Sequence, residues 1–214
     1  MLIQVAERIV SLGAGRLRIA IDGLTASGKT TFGHELAQHI THDGRPVLRA
    51  SLDDFKRPWN QRHSYDRESG EGYYRNAFDY ARVVALLLDP CTPEGSGQCS
   101  LCSIDPLLQV DHSTVVTKAE WNAVLIVDGV FALRPEINDY WDLRIWLDID
   151  AELSERRGTQ RDSGWAGPDP GRIHRERYLP AERLYISEAH PQELADVVID
   201  NSRFMQPRIL RFSQ

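Results

Sequence analysis

The stretch Gly23-Leu24-Thr25-Ala26-Ser27-Gly28-Lys29-Thr30 fits the phosphate-loop template G-x-x-x-x-G-K-[ST] at every position. Residues 17–22, which precede it, alternate apolar and polar side chains as a strand does. Residues 31–40, which follow it, carry apolar side chains at helical spacing. A chance glycine turn with an exposed lysine would not explain these flanks. The sequence therefore predicts a strand, a phosphate-binding loop and a helix in succession.

The residue types of this loop suit a nucleotide triphosphate. Gly23 and Gly28 let the backbone turn so that successive N–H groups point at phosphate oxygens, and the helix start adds its positive dipole end. Lys29 brings a charge to the outer phosphates, and the Thr30 hydroxyl can ligate Mg²⁺. We therefore expect ATP and Mg²⁺ as cofactors. The residues expected to contact the nucleotide are Gly23, Thr25, Ala26, Ser27, Gly28, Lys29, Thr30 and Thr31.

Composition limits the partners of the chain. Its 214 residues suit one α/β domain, and 42% of them are hydrophobic, enough to fill a core. The formal net charge of −6 disfavours a nucleic-acid-binding surface. The apolar run at residues 83–88 is too short to span a membrane, and residues 2–12 read as an amphipathic helix, not a signal peptide. We expect a soluble cytoplasmic protein with a small-molecule substrate; a homo-oligomer stays open.

Strands and helices alternate along the chain. Apolar runs predict strands at residues 17–22, 46–52, 123–128, 143–148 and 195–200, and helical patterns lie at residues 2–12, 31–43, 77–88, 151–162 and 172–188. This order predicts an α/β fold of the P-loop NTPase type, a three-layer α/β/α sandwich around a central parallel sheet of about five strands. Residues 56–76 read as a long loop, residues 97–118 as a projecting β-hairpin, and residues 163–171 as a flexible turn. We expect residues 1–214 to form a single domain.

Acidic residues follow two of the predicted strands, on the side where parallel sheets bind ligands. Asp128 ends the most apolar strand, where a carboxylate is best explained by a cation such as Mg²⁺; a strand-end turn residue is the alternative. Asp53 and Asp54 are candidates for the group that accepts the proton of an attacking hydroxyl. Strand alternation puts them on opposite faces. We choose Asp53, with Asp54 as an Mg²⁺ ligand or second choice; a helix cap or turn pair is the alternative.

Two further clusters allow more than one interpretation. Arg156, Arg157 and Arg161 lie on the predicted helix that leads into the Gly/Pro-rich turn, where arginines on a closing flap could neutralise a transferred phosphoryl group; a solvated helix face is the alternative. Cys99 and Cys102 form a lone C-x-x-C, without the further ligands of a zinc site or the context of a redox motif. We interpret them as hairpin cysteines.

The order of these motifs resembles that of the uridine kinase-like phosphate-loop kinases, most of all their actinobacterial members. The resemblance covers roughly residues 15–201 and rests on residues 23–30, 53–55, 72–74, 76–79, 124–129, 177–185 and 195–201. It implies an ATP-dependent kinase that phosphorylates the 5′-hydroxyl of uridine or cytidine. It also implies a substrate hairpin near residues 97–118 and a helical lid near residues 156–176.

The resemblance also implies roles for individual residues. The family's catalytic aspartate falls on Asp53, its Mg²⁺ acid on Asp128, and its lid arginines on Arg157 and Arg161. The segment Tyr73-Tyr74-Arg75 replaces one that carries a ribose-binding aspartate, and we expect it to contact substrate with Asp53.

Two other departures concern the nucleoside. Lys56 replaces a common tyrosine, and Ser103-Ile104-Asp105 replaces a Tyr-Asp pair that helps to hold the base. Another acceptor, such as a sugar or a pantothenate-like alcohol, therefore stays open.

Two functions without an acceptor compete with the kinase. One is a P-loop ATPase that works as a switch or motor, and the other is a nucleotide-binding regulator without turnover. A GTPase is disfavoured because the sequence has no Asn-Lys-x-Asp guanine motif.

Overall fold

The computed structural model describes residues 1–164 and 167–213, and over these residues the chain forms a six-stranded sheet and a separate two-stranded sheet. The large sheet has the order β2-β5-β1-β6-β7-β8, and the small one pairs β3 with β4. The strands are β1 (Leu17–Gly23), β2 (Val47–Ser51), β3 (Gln98–Cys99), β4 (Thr117–Lys118), β5 (Val124–Asp128), β6 (Leu143–Asp148), β7 (Val197–Asp200) and β8 (Arg208–Phe212).

Helices connect most of these strands. They are α1 (Leu2–Ser11), α2 (Lys29–His42), α3 (Gly70–Asn76), α4 (Tyr80–Val83), α5 (Ala151–Asp162), α6 (Leu179–Ala189) and α7 (Pro191–Leu194). A π-helical segment, Val84–Leu88, continues α4, and another, His174–Tyr178, precedes α6. Short 3₁₀ turns lie at Leu52–Phe55, Trp59–Gln61 and Asn138–Tyr140.

The predicted parallel sheet is confirmed. β1 pairs in parallel with β5 and with β6, β2 pairs in parallel with β5, and β7 extends the sheet in parallel beyond β6. The sixth strand, β8, runs antiparallel to β7 and was not predicted. It lies at the sheet edge with mostly exposed side chains, so it lacks the apolar run that marks the inner strands.

Each face of the sheet packs against its own layer of helices, as expected for a parallel sheet. In β5, Val124 and Ile126 belong to one hydrophobic core, which they share with α1 and α2. Leu125 and Val127 belong to the other core, which they share with residues of α3 and α6 and with the π-helical segment that follows α4. The alternation of these four side chains produces the three layers.

Local structure differs from the sequence-based expectation in three segments. The predicted loop at 56–76 contains α3, whose N-cap Ser69 accepts a hydrogen bond from the Gly72 N–H at 2.9 Å. The helix predicted at 77–88 starts only at Tyr80, because Phe78 forms an antiparallel bridge with Lys56. The helix predicted at 172–188 is a π-helical segment followed by α6. These differences come from contacts between distant segments, which local periodicity does not register.

The hairpin expected at 97–118 is confirmed by the antiparallel pairing of β3 and β4. The turn predicted at 163–171 includes Trp165 and Ala166, which lie outside the described residues. No helix within the described ranges has the length and apolar composition needed to cross a membrane.

The packing of α5 onto the second π-helical segment leaves no room beside Gly158. A Cβ added at Gly158 would meet the ring of His174, a fully buried residue whose Nε2 lies 2.8 Å from Oδ2 of the equally buried Asp162. Gly158→Ala should therefore lower the free energy of unfolding by about 1–3 kcal/mol, despite the better helix propensity of alanine. Urea titration measures this change. Gly15→Ala is the control, because a Cβ there has open space; equal stability of both variants would contradict the packing described.

Candidate active site

The phosphate loop joins the end of β1 to the start of α2. Gly23 and Gly28 have positive φ angles of 146° and 96°, and Ala26 between them has a φ of 57°. Gly28 is the N-cap of α2, so the first N–H groups of that helix lack partners within it and point toward the loop. The backbone thus has the shape that anion binding requires.

Lys29 is buried beneath this loop. Its Nζ donates hydrogen bonds to the carbonyl oxygens of Gly23 at 2.9 Å and Leu24 at 2.8 Å. Burial lowers the pKa of Lys29, and the charges of Asp22 and Glu182 oppose that shift. The ammonium group is therefore held by the loop's own carbonyls and by carboxylates on either side.

Asp22 is a fully buried carboxylate at the end of β1. Oδ1 accepts the Gly23 N–H at 2.7 Å, and Oδ2 accepts the Leu133 N–H at 3.0 Å and the Tyr185 hydroxyl at 2.5 Å. Burial raises the pKa of Asp22 to about 6, although these hydrogen bonds and the Lys29 charge act in the opposite direction. Asp22 thereby ties the start of the loop to α6.

Both backbone polar groups of Thr25 form hydrogen bonds with side chains of neighbouring helices. Its N–H donates to Glu182 Oε1 on α6 at 2.5 Å, and its carbonyl accepts the Ser154 hydroxyl of α5 at 2.7 Å. Glu182 is almost fully buried, which raises its pKa, and its Oε2 has no hydrogen-bond partner within the described residues. The helices that flank the lid segment therefore both hold the loop at one residue.

Thr30 and Asp128 provide oxygen atoms of the kind that Mg²⁺ prefers. The Thr30 hydroxyl donates to Asp128 Oδ2 at 2.7 Å, and Arg49 of β2 donates to Asp128 Oδ1. A hydroxyl and one carboxylate beside a phosphate site suit Mg²⁺, which takes its other ligands from phosphates and water. No cluster of three or more His, Cys, Asp and Glu side chains with metal-binding geometry occurs in the part of the chain that the structure describes. The two residues fit a phosphate-bound Mg²⁺.

One cavity of about 500 Å³ opens in front of the loop. Most of the residues predicted for the site line this cavity: Thr25, Ala26, Gly28, Lys29, Thr30, Thr31, Asp53, Tyr73, Asp128, Arg157 and Arg161. Gly23 and Ser27 belong to the loop but lie buried behind its surface. The fold therefore brings five distant parts of the sequence to one cavity: the loop, the turn after β2, α3, the end of β5 and α5.

Asp53 and Asp54 line two different cavities. They lie in the 3₁₀ turn after β2, where the Asp53 N–H donates to the Ser51 hydroxyl at 3.3 Å. Asp53 faces the loop. Asp54 lines a smaller cavity of about 240 Å³ beside the hairpin, where burial and the charge of Asp53 raise its pKa to about 6.

Lys56 is the closest partner of Asp53. Its Nζ lies 2.6 Å from Asp53 Oδ1. Desolvation acts to raise the pKa of Asp53, but the charge and hydrogen bond of Lys56, together with the charges of Lys29 and Arg161, hold that pKa below its ordinary value. Asp53 is therefore a paired carboxylate in this structure.

The lid arginines are both engaged with protein groups. The Arg157 guanidinium donates to the carbonyls of Asn201 at 3.1 Å and Ser202 at 2.9 Å, and it stacks 3.8 Å from the ring centre of Phe204. Arg161 forms an ion pair of 2.7 Å with Asp162. Either guanidinium must exchange these contacts to reach a phosphate. Arg156, by contrast, is exposed and pairs with Glu152, so it lies on a solvated face.

The three residues 73–75 have different environments. Tyr73 lines the cavity. Tyr74 packs in the core against Phe131 and Tyr185, and Arg75 pairs on the outer face with Glu71 at 3.1 Å and Glu188 at 2.6 Å. All three residues lie on α3, and their side chains point in different directions from it. We therefore retain only Tyr73 as a candidate substrate contact.

Sequence reasoning missed several residues of the site. Arg49 and Asp22 carried a signal, since each is a charged residue inside an apolar strand. Glu182 and Tyr185 lie within the segment 177–185 on which the resemblance rested, but nothing in their spacing indicated contact with the loop. Phe204 had no signal, because it follows β7 in an irregular segment. The cysteines Cys91, Cys99 and Cys102 are free thiols.

The hydrogen bond from Tyr185 to Asp22 predicts a pH-dependent stability change. Because the pKa of Asp22 is about 6, above its ordinary value, the folded protein holds this proton more tightly than the unfolded chain does. The contribution of Asp22 to stability thus falls as pH rises from about 4 to about 6. Tyr185→Phe removes a donor to the charged form, and it should lower the free energy of unfolding by about 1–3 kcal/mol at pH 8 and by less at pH 5.

Urea titrations at the two pH values measure this difference. Tyr80→Phe is the matched control, since the one hydrogen bond that the Tyr80 hydroxyl forms with a described residue goes to the neutral carbonyl of Phe131, at 3.4 Å. A loss for Tyr185→Phe that is the same at both pH values would show that Asp22 does not titrate in this range.

Known proteins share both the sequence pattern and the fold. A model of the Phosphoribulokinase / Uridine kinase family matches residues 18–202. A uridine kinase of Halobacterium salinarum is 29% identical over 154 residues, which are 67% of this chain and 61% of that protein. Uridine kinase-like protein 5 of Arabidopsis thaliana is 30% identical over 151 residues, which are 68% of this chain. This chain thus spans under two thirds of the first relative and 30% of the second.

Among solved structures, one described as a possible uridine kinase from Bacillus stearothermophilus superposes with a TM-score of 0.68 at 25% identity. The superposition covers 92% of this chain and 96% of that one. The family match extends over most of the chain and includes the loop, Asp53, Asp128, Arg157 and Arg161. The chain therefore belongs to the Phosphoribulokinase / Uridine kinase family, whose members are P-loop kinases.

Proposed function

We propose that this chain transfers the γ-phosphoryl group of ATP, with Mg²⁺, to a hydroxyl group of a small molecule. The observation that supports this proposal is the joint lining of one cavity by the loop residues Lys29 and Thr30 and by the Asp53 carboxylate. A hydroxyl hydrogen-bonded to Asp53 would face the phosphates that the loop binds. Positioning of this kind accounts for much of the rate of phosphoryl transfer.

Each residue has a defined task in this proposal. Asp53 orients the acceptor hydroxyl and accepts its proton. Lys29 exchanges its bonds to the Gly23 and Leu24 carbonyls for phosphate oxygens. Thr30 and Asp128 would hold Mg²⁺, which would neutralise charge on the phosphates when bound. Arg157 and Arg161 contribute further positive charge at the rim of the cavity, which stabilises the transferred group as its negative charge spreads.

The similarity to known proteins supports the type of reaction but does not identify the acceptor. Uridine and cytidine are the first acceptors to test, because the relatives are named as uridine kinases. Sugars and pantothenate-like alcohols are the alternative, because this chain departs from the nucleoside-binding pattern in two places. Of the segment 73–75 only Tyr73 lines the cavity, and the hairpin has Ser103-Ile104-Asp105 in place of the Tyr-Asp pair.

An acceptor screen tests the proposed reaction. Purified protein with Mg-ATP should release ADP only when a suitable alcohol is present, and the phosphorylated product should appear in equal amount. A coupled ADP assay over nucleosides, sugars and pantothenate-like alcohols, followed by mass spectrometry, measures both. Hydrolysis of ATP that no alcohol accelerates would indicate an ATPase. Tight ATP binding without turnover would indicate a regulator.

Substitution of the candidate base separates chemistry from binding. Asp53→Asn should lower kcat by about a hundredfold or more and leave the Kd of ATP nearly unchanged, because the amide cannot accept the proton. Lys29→Ala should abolish turnover. Asp54→Asn is the matched control, since Asp54 lines the other cavity and its loss should leave kcat near the wild-type value. The opposite result for the two aspartates would assign the base role to Asp54.

A further inference from the structure

Lys56 places a positive charge in the wall of the cavity, beside Asp53. Its ammonium lies 2.6 Å from Asp53 Oδ1 and 5.6 and 5.5 Å from the ring centres of Tyr73 and Phe78. Its side chain is only 17% exposed. In the described chain, Asp53 is the sole carboxylate within salt-bridge distance of Lys56. The fold thus holds a partly desolvated cation beside the candidate base.

Two further cations, Arg62 and Arg177, lie near Tyr73. The Arg177 guanidinium lies 4.9 Å from the Tyr73 ring centre, and its nearest carboxylate is that of the exposed Glu68, at 4.0 Å. Arg62 is buried, donates to the Arg57 carbonyl at 2.6 Å, and forms no salt bridge with any described residue. The charge of Arg177 is close enough to lower the pKa of Arg62, in addition to the effect of burial.

Two of these guanidinium groups have unused donors. Arg62 Nη2 and Arg177 Nε are buried and have no hydrogen-bond partner within the described residues. Buried donors of charged groups are costly to leave unpaired. Lys56 and Arg161 are closely paired with Asp53 and Asp162, whereas Arg177 reaches only Glu68, at 4.0 Å, and Arg62 has no carboxylate of a described residue within salt-bridge distance.

We propose that the acceptor of this kinase carries a carboxylate or phosphate group besides the hydroxyl that is phosphorylated, and that Lys56 binds this anionic group. The inference deepens the proposed function and rests on it. A neutral alcohol would leave Asp53 as the one counter-charge of Lys56 among the described residues. An anion would pair with Lys56 over the two aromatic rings and would be favoured by the arginines behind Tyr73.

Binding of the anion would also prepare the base. Lys56 holds the pKa of Asp53 low, so a competing anion that takes up the ammonium makes Asp53 a stronger acceptor of protons. In the reaction, the acceptor O–H gives its proton to the Asp53 carboxylate and its oxygen forms the new bond to the γ-phosphorus. The bond from the γ-phosphorus to the bridging oxygen breaks, and ADP leaves. Lys56 is a specificity residue in this step.

Matched pairs of acceptors test the substrate class. Each pair keeps a free hydroxyl and differs in one anionic group: glycerate and glycerol, pantothenate and panthenol, ribose 5-phosphate and ribose, uridine 3′-phosphate and uridine. In at least one pair the anionic member should have a kcat/KM about 10- to 100-fold higher than its neutral partner. The first two pairs report on carboxylates and the last two on phosphates. Preference for the neutral member in every active pair would overturn the proposal.

Lys56→Met removes the charge and keeps the length of the side chain. It should raise KM for the anionic acceptor about 10- to 100-fold, leave KM for Mg-ATP within about twofold, and abolish the preference within the pair. The acid limb of the pH–rate profile with a neutral acceptor should move to higher pH, because Asp53 loses its ammonium partner. Lys56→Arg should restore much of the preference. Lys118→Met is the matched control, since Lys118 is 76% exposed on the hairpin.

Three results would overturn the inference, two from the kinetics of Lys56→Met and one from calorimetry. A rise in KM for Mg-ATP alone would place Lys56 at the nucleotide, and unchanged discrimination in Lys56→Met would make the pair with Asp53 structural. If no acceptor is phosphorylated, the proposed function fails. Calorimetric titration of the same pairs into the protein with a non-hydrolysable ATP analogue then tests the anion preference separately, and equal binding within every pair would overturn it.

Discussion

The parallel pairing of β1 with β5 is the constraint on which the site depends. Its register sets Ile21 opposite Asp128, two residues before the phosphate loop begins at Gly23. Asp128 is thereby held at the level of the helix start, where the Thr30 hydroxyl reaches it at 2.7 Å. A shift of one residue would exchange the two faces of β5 between the two hydrophobic cores. Apolar packing on both faces therefore fixes the position of a polar contact.

Buried charges beneath the loop are the cost of this arrangement. Asp22, Lys29 and Glu182 are each at most 9% exposed, and isolated charges at such depth would be strongly unfavourable. Hydrogen bonds offset that cost. Asp22 accepts three donors, and Lys29 donates to two loop carbonyls. Because Glu182 and the Tyr185 hydroxyl both come from α6, this helix also fixes the conformation of the loop.

Sequence patterns predicted the part of the site that local chemistry defines. The template predicted the loop, and apolar runs predicted the five parallel strands that carry Asp53 and Asp128 to one edge of the sheet. The difference between Asp53 and Asp54 was only partly foreseen, since the 3₁₀ turn, not a continuing strand, sends them to separate cavities. The different environments of Tyr73, Tyr74 and Arg75 could not be predicted, because they depend on how α3 packs against α6. β8 was missed because an exposed edge strand carries no apolar signal.

The sequence by itself determined the chemistry of the donor side. Three features are local: a template of eight residues, an apolar strand that ends in aspartate, and an arginine-rich helix. Each can be recognised from a few neighbouring residues. Only the tertiary structure decided which side chains line the rest of the cavity. Lys56 and Tyr73 line the cavity, and Arg62 and Arg177 lie near Tyr73. They come from a loop, a helix and a π-helical segment up to 121 positions apart, and long-range packing alone sets their distances.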